Sequence, residues 1–328
     1  MTIQARRPPF FLGIDLGGTN IKSGVVDDAG KQISAVSVET HAENGPEAGV
    51  RTLAEAGRLA LKASGLEWSD IAAVGLGSPG TMDIEAGMLL DPPNLPGWHD
   101  FPIRDRLAAM LERPVVFQND ANAAAFGEYW AGAGRGSQSL VLFTLGTGIG
   151  CGIVEQGRIV EGRHSHGAEC GHLIIQMEGG REHPPGYFGR LEAYASATAL
   201  VKRAVEALEA GEPSVLQEIH DSGGLSARAV DQAARRGDAL ANRLMNETAR
   251  YLAVGATCLM HTIDPDIILF AGGMIAAGTP FLDVIRAEIR RIAFPVPAAK
   301  TRVEFAELGG DAGFIGAAGC ARAHFART

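Results

Sequence analysis

The sequence is short of cysteine, of long apolar runs and of positive charge. Four cysteines, Cys151, Cys170, Cys258 and Cys320, are scattered over 328 residues with no Cys-x-x-Cys pair. That scatter argues against a disulfide framework and a cysteine zinc site, and makes a reducing cytoplasm the expected compartment. No apolar stretch approaches the ~18 residues of a membrane span, and the short run after Arg6-Arg7-Pro8-Pro9 is too brief for a signal-peptide core. Lys and Arg number 29 against 38 Asp and Glu, a formal net charge of −9. Neither nucleic acid nor an anionic membrane is expected as a partner of such a surface. An anionic small molecule stays open, because backbone N–H groups bind phosphate whatever the net charge.

Glycine is what the chain has in excess. Its 43 glycines make up about 13% of the sequence, close to twice the usual ~7%. They lie between apolar runs with no Gly-X-Y period, which excludes collagen and disorder and leaves tight turns or close approach to a ligand. The length favours two domains, at roughly 100–200 residues each.

Along the chain, Phe10–Ile14, Ile21–Val26 and Gln32–Val38 read as an antiparallel meander, and Val50, Leu53, Ala54, Gly57 and Leu61 keep helical spacing. Further strands are expected at Ile71–Leu76, Val115–Phe117, Ile267–Phe270 and Val303–Phe305, with a hairpin at Leu140–Leu145 and Ile149–Val154. Asn119-Asp120 leads into an Ala-rich helix. Residues 161–190 read as a Gly- and His-rich loop, 191–261 as mostly helical with an exposed insert at 209–226, and a last helix starts near Asp311. The class is α/β. One device occurs twice: Phe11–Thr19 and Val141–Gly148 are each an apolar strand, a polar residue at its end and a Gly/Thr turn. Two copies so far apart predict a duplicated domain with a cleft between the halves.

Each Gly/Thr turn presents backbone N–H groups, with the Thr19, Thr144 and Thr147 hydroxyls as further donors. Either turn alone is read as well by a plain β-hairpin. Neither fits the P-loop or the dinucleotide-binding pattern. Asp15, at the first turn, could hold a hydrated Mg²⁺. Asp120 is either the cap of the helix it opens or a general base taking a proton from a hydroxyl that attacks a phosphoryl group. Glu169, His172 and Glu192 suit a ligand with many hydroxyls. Gly272-Gly273 allows backbone to approach a nucleoside, or a helix to pack.

Asp15-Leu16-Gly17-Gly18-Thr19, Gly77-Ser78-Pro79-Gly80, Asn119-Asp120-Ala121-Asn122, Leu145-Gly146-Thr147-Gly148, Glu169-Cys170-Gly171-His172, Leu191-Glu192 and Ala271-Gly272-Gly273 follow one another in the order of the ROK family (repressor, open reading frame, kinase), which the chain resembles nearly throughout. The resemblance implies an actin-like ATPase fold (ribonuclease H-like) of two duplicated domains. The small one would be 1–118, completed by about 311–328, and the large one 119–310. It implies ATP and Mg²⁺ as cofactors, a sugar as partner, and a homodimer or homotetramer. The implied reaction is transfer of phosphate to a hexose 6-hydroxyl, with glucose the lead and an N-acetylhexosamine, fructose or allose the alternative. Carried over by position, Asp120 is the implied catalytic base, and Gly80, Asn119, Glu169, His172 and Glu192 are sugar contacts. Asp15, Gly17, Gly18 and Thr19, with Thr144, Gly146, Thr147 and Gly148, are phosphate turns, and Gly272 and Gly273 lie at the nucleoside. A sugar-responsive repressor would need a DNA-binding segment before Phe10, where nine residues stand. A non-sugar actin-like ATPase would not need Glu169, His172 and Glu192.

One departure is clear. ROK kinases usually carry C-x-C-G-x-x-G-C-x-E after the Gly-His pair, and three Cys with that His bind structural zinc. Aligned back from Glu192, those Cys fall on His183, Pro185 and Arg190. Two imidazoles are short of the four ligands a structural zinc takes, and nothing in the spacing of His164 and His166 completes the set. A metal-free loop is expected, held by Pro184-Pro185 and by packing of Tyr187 and Phe188.

Overall fold

Strand β1 (Phe10–Leu16) sorts its side chains by parity, as a strand with both faces covered does. Leu12, Ile14 and Leu16 enter a core with Val50, Leu53, Trp98 and Leu107, while Phe11 faces Val26, Phe314 and Ile315 on the other side. The computed structural model describes residues 9–92 and 95–326. Arg6-Arg7, Pro8 and Pro93-Asn94 lie outside the described residues.

The expected meander forms: β1 pairs antiparallel with β2 (Asn20–Asp27), and β2 with β3 (Gln32–Glu39). On its other edge β1 pairs in parallel with β4 (Ile71–Ser78). After a small hairpin of β5 (Thr81–Asp83) and β6 (Met88–Asp91), β7 (Val115–Asn119) joins β4 in parallel, giving the order β3-β2-β1-β4-β7. The helix Pro46–Ser64 turns Val50, Leu53, Ala54, Gly57 and Leu61 inward, as their spacing predicts.

The second sheet consists of β8 (Ser139–Leu145), β9 (Ile149–Glu155), β10 (Arg158–Ile159), β11 (Ile267–Ala271) and β12 (Arg302–Phe305), ordered β10-β9-β8-β11-β12. Both sheets therefore run third, second, first, fourth, fifth in chain order, the topological form of the repeat seen in the sequence. Residues 191–261 are helical as expected, and the insert contains its own short helix, Leu216–Asp221. Among the described residues no helix is long and apolar enough to cross a membrane.

Packing divides the chain into two units. One contains 1–137, 152–168 and 307–328, the other 138–151 and 169–306. The helix Asp120–Ala131, expected to open the large domain, belongs to the first unit because of glycine. A Cβ on Gly316 would lie 1.6 Å from the Ala123 carbonyl oxygen, and one on Gly75 in β4 would lie 1.8 Å from that of Ala317. Bare Cα atoms thus let the C-terminal helix (Ala312–Phe325) seat its backbone against both the sheet and the Asp120–Ala131 helix. Buried Glu128 closes the join by accepting from the Ala133, Glu307 and Leu308 N–H groups.

Candidate active site

In the first unit, three motifs distant in sequence meet at one end of parallel strands. Asp15 of β1 stands opposite Gly77 of β4, and Ser78 opposite Asn119 of β7. The carboxyl ends of parallel strands are where open α/β sheets receive ligands. Gly80, with φ +92°, follows at once; a Cβ there would come 2.4 Å from Pro92 Cα, so this glycine lets the loop turn close to Pro92.

The helix cap falls on Asn119, which excludes the first of the two readings of Asp120. Asn119 Oδ1 accepts from the Ala121 and Asn122 N–H groups at 3.0 and 3.1 Å. Asp120 is the first helical residue, its Oδ1 accepting from the Ala121 N–H at 2.8 Å. The dipole at the start of a helix favours an anion there. Burial, then the neighbouring Asp120 carboxylate, push the Asp15 carboxyl from 3.8 up to about 7, against the opposing pull of Lys22. Lys22 itself is tied to the Gly310 carbonyl and to Asp311. A carboxyl whose charged form is this disfavoured by burial and by Asp120 fits a divalent cation, which would supply positive charge there.

One residue here escaped the sequence reading. Gln118 Oε1 accepts from the Asn119 N–H and the Asn122 side chain, while its amide donates to Glu161 Oε1 at 2.7 Å. Its only signal was its place in the polar run that ends β7.

In the second unit, the Gly146-Thr147-Gly148 turn joins β8 to β9, and β11 sets Ala271 beside Thr144. Gly272 and Gly273 differ in role. At Gly272, with φ +90°, a Cβ would meet the Leu145 carbonyl oxygen at 2.3 Å, whereas around Gly273 there is open space. That space continues into a cavity of about 740 Å³ lined by Gly146, Thr147, Ser226, Arg228, Gly273 and Met274 among others. Ser226 and Arg228 belong to no motif in the sequence and come to the cavity through the fold alone. The turns offer fewer donors than expected: the Gly17 N–H bonds the Asn20 carbonyl and the Gly146 N–H that of Gly148.

Glu192 Oε2 accepts from the Ile149 N–H at 2.6 Å, and its Oε1 faces His183 Nε2 at 3.3 Å. The carboxylate comes close to Gly148, where a Cβ would lie 2.3 Å from it and displace it. Glu169 is exposed just before a single turn, Cys170–His172. His172 Nδ1 lies 2.9 Å from Arg190 Nη1.

Comparison with known proteins decides the family. The ROK family profile matches residues 11–324. The chain belongs to the ROK family. The glucokinase of Halalkalibacterium halodurans is 35% identical over 308 residues, 94% of this chain and 93% of that protein. Among solved structures, a ROK hexokinase from Thermus thermophilus superposes with a TM-score of 0.83 at 34% identity, over 97% of this chain and 100% of that one. A ROK glucokinase from Streptomyces griseus in complex with glucose and AMPPNP gives 0.78 at 34% identity, over 96% and 99%. The fold is accordingly the α/β actin-like ATPase fold of ROK sugar kinases.

The zinc loop of the ROK pattern is rebuilt here. Pro185 has no side-chain ligand atom, and Arg190 brings a cation onto the His172 nitrogen, so these residues do not fit a zinc ion. Packing of both aromatic side chains was expected to hold the loop, but Tyr187 and Phe188 are half-exposed. The loop closes instead through Glu182, whose side chain takes the Gly186 N–H, and through the His183 N–H bonded to the Tyr187 carbonyl. Arg190 adds a stack on the Tyr187 ring at 3.7 Å.

Proposed function

We propose that this chain is an ATP-dependent glucokinase that transfers the γ-phosphoryl group of ATP to the 6-hydroxyl of glucose. The observation that carries the reading is likeness over nearly the full length to a glucokinase crystallised with glucose and AMPPNP. The geometry supports it with Asp15, Gly80, Asn119 and Asp120 gathered at the carboxyl ends of parallel strands and a roomy cavity beside Gly273.

In this reading Asp120 accepts the 6-hydroxyl proton as that oxygen attacks in line, its carboxylate oriented by the Ala121 N–H. Gly80, Asn119, Glu169, His172 and Glu192 hold the sugar hydroxyls. Gly17 and Gly146 close the two phosphate turns, while Gly18, Thr19, Thr147 and Gly148, with Thr144, face the phosphates. Gly272 shapes the turn and Gly273 leaves room for the nucleoside. Mg²⁺ near Asp15, when bound, neutralises charge on the phosphates. A homodimer or homotetramer belongs to the same reading, and light scattering distinguishes them.

A coupled ADP-release assay over hexoses and N-acetylhexosamines tests the function. Glucose is expected to give the highest kcat/KM; a higher value for an N-acetylhexosamine, fructose or allose would reassign the substrate.

A further inference from the structure

The arrangement around His172 carries a further role. Arginine has no acceptor, so the 2.9 Å contact between its Nη1 and His172 Nδ1 has one possible direction. Nδ1 accepts, and the neutral ring therefore carries its proton on Nε2. The guanidinium is not a loose surface group. It lies 3.7 Å above the Tyr187 ring, and Arg190 pairs with Ile174 in an antiparallel bridge. The bridge is flanked by Leu191 N–H to the Leu173 carbonyl at 2.8 Å and Ile175 N–H to the Gly189 carbonyl at 2.8 Å. Histidine and arginine are thus anchored on two paired backbone segments. The next residue but one, Glu192, is held in turn by the Ile149 N–H.

We propose that Arg190 is the positioning residue for His172, doing with a stacked guanidinium what a metal ion does when it occupies an imidazole nitrogen. It fixes the ring plane and the tautomer, so that His172 presents an Nε2–H donor to a sugar oxygen. The sequence departure that removes the zinc ligands supplies the substitute at the same position, Arg190. The sugar contact of His172 rests on the glucokinase reading above; the tautomer does not.

Two measurements test the proposal. In protein labelled with ¹⁵N-histidine and free of substrate, the His172 ring, assigned by comparison with His172→Gln, is expected to show a lone pair on Nδ1 and a proton on Nε2. In Arg190→Met that preference is lost. A proton on Nδ1 in the parent protein, one zinc per chain in the purified parent, or no change in Arg190→Met would overturn the proposal. In kinetics, Arg190→Met is expected to raise the KM for glucose about tenfold, the loss of one charge-assisted hydrogen bond, with kcat and the KM for ATP little changed. Arg190→Lys restores part of the loss. Equal loss for both substrates would mark Arg190 as merely structural and overturn the role. The expected tautomer in a protein that does not phosphorylate glucose would refute the glucokinase reading and leave the Arg190–His172 pairing standing.

Discussion

At the scale of single residues, the glucokinase reading gives Asp15 and Asp120 distinct tasks. Asp120 does not cap its helix, since Asn119 does, and that assignment makes its removal informative. Asp120→Asn keeps the shape, so kcat is expected to fall by roughly 10²–10⁴-fold, with glucose affinity measured by calorimetry nearly unchanged. Near-normal turnover would give the base to another residue. Asp15 offers a test in pH. Its folded-state pKa of about 7 lies above the ordinary 3.8, so the folded protein prefers the protonated form. The associated stability is full below about pH 4 and is lost as pH rises through about 7. Asp15→Asn should therefore melt higher than the parent at about pH 8, with the difference shrinking toward about pH 4 and the largest change between about pH 4 and 7. An advantage independent of pH would show that Asp15 is not strained by burial and by Asp120. Gly272 and Gly273 make a further contrast, adjacent glycines of which one is demanded by its own backbone and the other opens onto a cavity.

At the scale of elements, the C-terminal helix is the piece that organises the first unit. It lies on β1 and β4 through Gly13 and Gly75 and on the Asp120–Ala131 helix through Gly316. That second helix carries Asp120 at its start and Glu128 at its end. Glu128 has no exposed surface and receives three backbone N–H groups, from Ala133, Glu307 and Leu308. Glu128→Ala would leave those donors buried without partners, a loss of about 3 kcal/mol or more. Denaturant unfolding is expected to show the lower midpoint, and an unchanged midpoint would mean that water replaces the carboxylate at little cost. Helix spacing, strand parity and the Gly/Thr turns were legible because they depend on neighbours in sequence. Asn and Asp both cap well, so Asn119-Asp120 leaves the cap open in sequence, and only the backbone path around β7 chooses between them.

At the scale of the whole molecule, the duplicated sheets explain why one chain carries two similar Gly/Thr turns, each between the first two strands of its sheet. The turn at Gly146–Gly148 borders the large cavity, and that cavity predicts nucleotide binding without sugar. AMPPNP with Mg²⁺ at about 100 times its dissociation constant should stabilise the protein by about 2.7 kcal/mol, seen as a melting temperature raised by several degrees. No shift over a saturating range would show that the cavity is not the nucleotide site. The sequence by itself determined the α/β class, the repeat, the ROK membership and the departure from the family's Cys pattern at His183, Pro185 and Arg190, because these reside in local pattern and in the order of motifs. Only the tertiary structure decided that Asn119 caps the helix, that Gln118 braces it, that Ser226 and Arg228 border the cavity, and that Arg190 meets His172. Each of these is a contact set by how the backbone returns on itself, and composition and spacing do not encode where the chain returns.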